Sequence, residues 1–139
     1  MIGGRLRRAR RLGHAMMESA LVFTPFVALV LGTMEFGNVA MCQNSIAYAS
    51  TQGARYAMVR GYNATSPATT TSVRDFVRTQ CYGLRDPSNV TVTTTWPDGD
   101  NKPGHRVKVV VQYSYSPIER LSFTINIPMA ASSEVLIRQ

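Results

Sequence analysis

From Ser19 to Met34 the chain runs 16 residues without a charged side chain. That is slightly short of the roughly 17–25 residues with which a helix spans a bilayer. Adding Ala15, Met16 and Met17 brings it into range and leaves Glu18 near the membrane boundary, where a carboxylate is expensive and needs a partner. Beyond Met34 the pattern changes without a break. Val39, Cys42, Ile46, Ala49, Gly53 and Tyr56 recur at steps of three and four, the mark of a helix with one apolar stripe. Gln43, Asn44, Ser50, Thr51 and Arg55 fall mostly on other faces. The spacing therefore predicts one helix from about Ala15 to Arg60, roughly 70 Å long at the usual rise per residue. Its first part, about 15–35, is apolar all round; its second, about 36–60, has one face suited to packing on a domain. Pro25 removes a backbone hydrogen bond from the first part and predicts a kink there, which membrane helices tolerate.

A polar connection follows, Gly61 to Thr71. Ser72 is the expected cap of a short helix, with Asp75 as its capping-box acid. Val73, Phe76, Val77, Cys81 and Leu84 form its apolar face, and Gly83 with Pro87 ends it. The rest alternates with a period of two and reads as strands. Val90, Val92 and Trp96 oppose Thr91, Thr93 and Thr95; then, after a turn from Pro97 to Gly104, come Val107, Val109, Val111, Tyr113 and Tyr115. Leu121, Phe123, Ile125 and Ile127 predict a third strand, and Ala131 to Ile137 a fourth. One apolar and one polar face imply an antiparallel sheet covered on one side, most economically by the amphipathic half of the long helix. The predicted class is α+β, with a sheet of about four strands.

Charge changes the picture only at the N-terminus. The formal net charge is +7, but Arg5, Arg7, Arg8, Arg10 and Arg11 supply five of those charges, and no acid occurs before Glu18. The remaining basic side chains are scattered and nearly balanced by the 8 acids, so nucleic acid is not an expected partner. The arginines fix orientation instead: positive charge stays cytoplasmic and the C-terminal part is translocated. An ordinary secretory signal places its small-residue cleavage site after the apolar core. Here Gly13 precedes it, so cleavage at Gly13 removes the arginines and keeps the anchor.

The chemistry-bearing residues are sparse. His14 and His105 stand alone and the cysteines show no zinc spacing, so neither metal nor cofactor is expected. Asp98-Gly99-Asp100-Asn101 has oxygen ligands that suit calcium but lacks the full loop, and a solvated turn explains it. No nucleophile elbow, phosphate loop or metal-binding helix is present, and no enzyme is expected. Cys42 and Cys81 fall on buried faces of two helices expected to meet in a translocated domain. The compartment permits a disulfide there, with two inert core thiols as the alternative.

Gly13-His14-Ala15-Met16-Met17-Glu18-Ser19-Ala20-Leu21-Val22-Phe23-Thr24-Pro25-Phe26, followed by Leu31-Gly32-Thr33-Met34-Glu35-Phe36-Gly37, resembles the TadE-like family of tight-adherence (Tad/Flp) pilus systems. Gly53-Ala54-Arg55-Tyr56-Ala57 continues the likeness, and Ile127 to Val135 matches more loosely. The resemblance implies a pilin-like fold and a prepilin peptidase cutting between Gly13 and His14. Residues 1–13 are then a leader, 14–60 the long helix and 61–139 an exported head. Glu18 becomes the fifth residue of the mature chain, able to pair with the α-amino group of an adjacent subunit and set axial register. Pilins of the better-known kind begin with a methylated phenylalanine; here His14 takes that place. The implied protein is a structural minor pilin or pseudopilin of the inner membrane, its head outward. Its implied partners are the lipid bilayer, the peptidase, an inner-membrane assembly platform and other pilin-like subunits, whether a TadF-like protein or the major pilin. The alternative is an uncleaved, membrane-tethered binding module.

Overall fold

The structure, a computed structural model, describes residues 3–117 and 126–138, with side chains from His14 onward. In chain order it contains helix α1 (Gly3–Met58), helix α2 (Thr70–Gln80), a 3-10 turn (Pro87–Asn89) and strands β1 (Val90–Thr95), β2 (Arg106–Tyr115) and β3 (Ile127–Leu136). The class is α+β. By internal contacts the chain divides into residues 1–37 and residues 38–139, and α1 contributes to both.

Residues 38–139 hold a core built as the alternation predicts. The sheet has the order β1-β2-β3, antiparallel throughout. Register places Val90, Tyr113 and Met129 in one inward row, Val92, Val111 and Ala131 in the next, and Thr94, Val109 and Ser133 in a third. Val107, Val109 and Val111 are fully buried. Branched side chains suit this position because their restricted rotamers pack well on a pleated surface. The opposite face carries Thr91, Thr93, Thr95, Gln112 and Ser132, all exposed. Pro128 cannot donate to a ladder, and it lies in β3, an edge of the sheet among the described residues, where that loss is tolerated.

Cys42, Ile46, Ala49, Ala54 and Ala57 of α1 share the core with Val73 and Val77 of α2, and Val39 and Tyr56 pack against it. The stripe read from the sequence is thus the buried face. It is wider than its periodicity suggests: Ser50, expected to point elsewhere, is buried as well. Its hydroxyl donates to the Ala47 carbonyl at 2.8 Å, so its burial leaves no polar atom unpaired. Gly53 marks a close approach of the layers. A Cβ placed there would overlap Cγ2 of Val77 and lie 3.3 Å from Cγ1 of Val109, so glycine brings α1 within reach of both α2 and β2.

Two expectations need correction. The short helix begins two residues before the expected cap: Thr69, with extended backbone, is the N-cap and Ser72 is the third helical residue. Thr69 accepts from the Ser72 N–H at 3.1 Å while the Ser72 hydroxyl accepts from the Thr69 N–H at 2.9 Å. A serine therefore fills the reciprocal role usually taken by Glu or Gln, and Asp75 instead pairs with Arg74 at 3.3 Å. The sheet agrees with the expected architecture, with three strands described against about four expected, and the expected fourth is β3 itself. The expected third, Leu121 to Ile127, lies mostly outside the described residues, and only Ile127 is seen, opening β3. Finally, α1 ends at Met58 rather than Arg60 and already runs from Gly3.

The loop joining β1 to β2 is tied down by its own acids. Asp98 accepts from the Arg106 backbone N–H at 2.8 Å and from its guanidinium at 2.9 Å, and Arg106 also reaches Glu134 of β3 at 3.3 Å. Asp100 pairs with Lys102 at 2.9 Å and contacts His105. These oxygens are engaged by Lys102, His105 and Arg106, which supports the turn reading of Asp98 to Asn101. The Arg106 side chain, then its backbone N–H, lowers the Asp98 carboxyl from its ordinary 3.8 to about 2. In an unfolded chain it would titrate near its ordinary value, so this contribution to stability is complete above about pH 4 and is lost as the pH falls towards 2. An NMR titration should show the Arg106 amide shifting with a midpoint near pH 2, and Asp98→Asn should abolish that step. A midpoint near 4 would mean that the pair does not form.

Candidate membrane-anchoring and assembly segment

Residues 14–34 bury almost nothing among the described residues. From His14 to Met34 every residue is exposed except Val27, which is half-buried. Leu21 is 77 % exposed, Met17 72 % and Phe23 64 %. A contiguous apolar surface of this kind is not left to water in a stable protein. α1 is long and apolar enough to cross a membrane, a property that spans His14–Met58 in the described residues. Two of its hydroxyls meet the demand that a bilayer makes on polar atoms: Thr24 donates to the Ala20 carbonyl at 2.7 Å and Thr33 to the Val30 carbonyl at 2.8 Å, each within the helix. Helix continues through Pro25.

Glu18 is the one acid between His14 and Met34. It is exposed and, among the described residues, has no hydrogen-bond or ionic partner. It borders a shallow groove on α1 with Ala15, Ser19, Val22, Phe23 and Phe26. An apolar surface holding one unpaired carboxylate favours contact with a cation delivered from outside the chain. Among the described residues, a methyl group added at Gly32 or Gly37 would meet nothing within 4 Å. The Gly13–His14 bond lies within α1, and His14 is exposed.

Cys42 and Cys81 are both buried and stand as free thiols. Their helices do meet: the Ser45 hydroxyl donates to the Tyr82 carbonyl at 2.5 Å, and the Met41 methyl lies 2.7 Å from a Cβ position at Gly83. Cys81 caps α2 and donates its thiol to the Val77 carbonyl at 3.3 Å. Burial raises the Cys81 thiol above its ordinary pKa, which lowers its thiolate fraction and its reactivity. No group of three or more metal-ligating side chains occurs among the described residues.

Fold and segment together define the class: one helix long and apolar enough to cross a membrane, continuing into a small α+β unit. Within that class, residues 13–55 match the family model described as TadE-like protein. The match starts at the glycine of the proposed cut, includes Glu18 and Pro25, and ends two residues after Gly53. This is the family that the residue pattern resembles, one associated with Tad pilus systems. No curated protein and no solved structure matches the chain.

Proposed function

We propose that the protein is a minor pilin or pseudopilin of a Tad-type pilus, a structural component and not an enzyme. A prepilin peptidase removes residues 1–13, and α1 then anchors the chain in the inner membrane with residues 61–139 on the outer side. During assembly the helix exchanges lipid for the helices of other pilin-like subunits. The observation that carries this reading is the exposed apolar surface of residues 14–34, broken by a single acid at the fifth position after Gly13. Bilayer anchoring accounts for the apolar surface. A partner's α-amino group accounts for the acid, because pairing offsets the cost of burying both charges and fixes axial register. Glycine at the cut suits processing, since it is about 1 kcal/mol poorer than alanine within a helix and so makes the helix easier to open there.

The test is the mature N-terminus. Intact mass and N-terminal sequencing of the membrane-extracted protein should give His14 first in cells that make the peptidase and Met1 in cells that lack it. Gly13→Leu should leave the chain starting at Met1 in both. A chain that keeps its first residues in peptidase-positive cells would be a tethered binding module instead. A free-thiol count on the denatured, exported protein decides the Cys42–Cys81 pair: zero means a disulfide and two means core thiols.

A further inference from the structure

A second feature lies in residues 38–139, and it does not depend on whether the protein is processed or assembled. Four segments converge beyond the end of α1. Their backbones are joined by the Arg138 N–H donating to Met58 at 3.1 Å, Ala68 to Arg60 at 2.7 Å, Tyr62 to Asn101 at 2.9 Å and Gly104 to Ile137 at 2.9 Å. Between them opens a cleft of about 670 Å³, within the range of small-molecule sites. Its lining includes Arg60, Asn63, Thr65, Ser66, Pro103 and Arg138, a set rich in polar and basic side chains. No Asp or Glu lines it, and neither arginine pairs with a carboxylate among the described residues.

Arg60 is held for use. Its guanidinium carbon lies 4.2 Å over the centre of the Tyr56 ring, and one of its N–H groups donates to the Tyr56 hydroxyl. Tyr56 is itself stacked on Phe76 at 4.4 Å. Stacking fixes the guanidinium plane, and most of its five donors remain for a ligand. A planar fork of this kind matches a carboxylate in two parallel hydrogen bonds. The neighbouring hydroxyl and amide groups both donate and accept, as sugar hydroxyls require.

We propose that this cleft binds an acidic saccharide, its uronate carboxylate on Arg60 and Arg138 and its hydroxyls on Asn63, Thr65 and Ser66. Inorganic phosphate shares the anionic group but lacks the ring, and a neutral sugar lacks the charge, so the two separate the contributions.

Calorimetric titration of the full chain in detergent micelles should show digalacturonate binding at least tenfold more tightly than either galactobiose or inorganic phosphate, and weakening as salt is raised. Arg138→Gln should lower digalacturonate affinity at least tenfold with no change in the Trp96-monitored melting curve, because its structural contact is made by the backbone N–H. Arg60→Gln should do the same; if it also destabilises the fold through loss of the Tyr56 stack, Arg138→Gln alone decides. Equal affinity for phosphate and digalacturonate, equal affinity for galactobiose, no binding of digalacturonate, or an Arg138→Gln protein that binds normally would each overturn the proposal.

Discussion

Gly53→Leu is expected to abolish the cooperative unfolding transition of residues 38–139, or to lower its midpoint by more than any other single change to α1. The first added carbon already overlaps Val77 and comes within 3.3 Å of Val109, and both partners are stiff, β-branched and fully buried. Overpacking of this kind typically costs about 1–3 kcal/mol for an added methylene or two, and leucine adds more than that. Gly53→Ala is the graded control: its steric cost is partly offset by about 1 kcal/mol of improved helix propensity. Val77→Ala combined with Gly53→Ala should recover part of the loss, because it removes the methyl group that the new carbon strikes; the double-mutant cycle then shows a favourable coupling. The readout is thermal or urea unfolding of the full chain in detergent, followed by the fluorescence of Trp96, the single tryptophan, which packs against this core. A Gly53→Leu protein that melts with the wild type would mean that α1 does not approach α2 and β2 as described.

Glu18→Ala is expected to reduce assembled filaments at least tenfold while the protein is still made, inserted and cut at Gly13. Burying a carboxylate among apolar helices is tolerated only when it is paired, so on the pilin reading the charge serves what it meets outside the chain. Removing it should lower the cost of membrane residence and remove the partner's counter-charge in the same step. Electron microscopy of shed filaments, paired with immunoblotting for the processed form, separates the two effects. Glu18→Gln should behave like the alanine variant if charge is what matters, and like wild type if a hydrogen bond suffices. Normal piliation with Glu18→Ala would remove the register role from this residue, whatever the fate of Gly13. The expectation rests on the pilin reading, and the mature N-terminus tests that reading separately.

Much of the fold is legible in the order of residues. The stripe Val39–Tyr56 and the run Val107–Tyr115 are long and strictly periodic, and both are buried faces, because a helix and a strand can each present only one side to a core. The cap of α2 lies three residues before the position that the pattern suggests. Thr69, Thr70, Thr71 and Ser72 are all competent caps, and the choice between them depends on where the backbone leaves its extended conformation. Ser50 escapes the pattern because its class is polar, while a hydroxyl that bonds back to its own helix can be buried at little cost.

The sequence by itself determined the apolar run, its basic flank, the isolated Glu18 and the alternation of helix and strand periods, since each is a property of neighbours along the chain. Only the tertiary structure decided that Gly53 meets Val77 and Val109, that Asp98 holds Arg106, and that Arg60 and Arg138 line one cleft. Those partners lie 24, 8 and 78 residues apart in the chain for Gly53–Val77, Asp98–Arg106 and Arg60–Arg138 respectively. No periodicity encodes such pairings; they follow from packing and strand register, which exist only once the chain has folded.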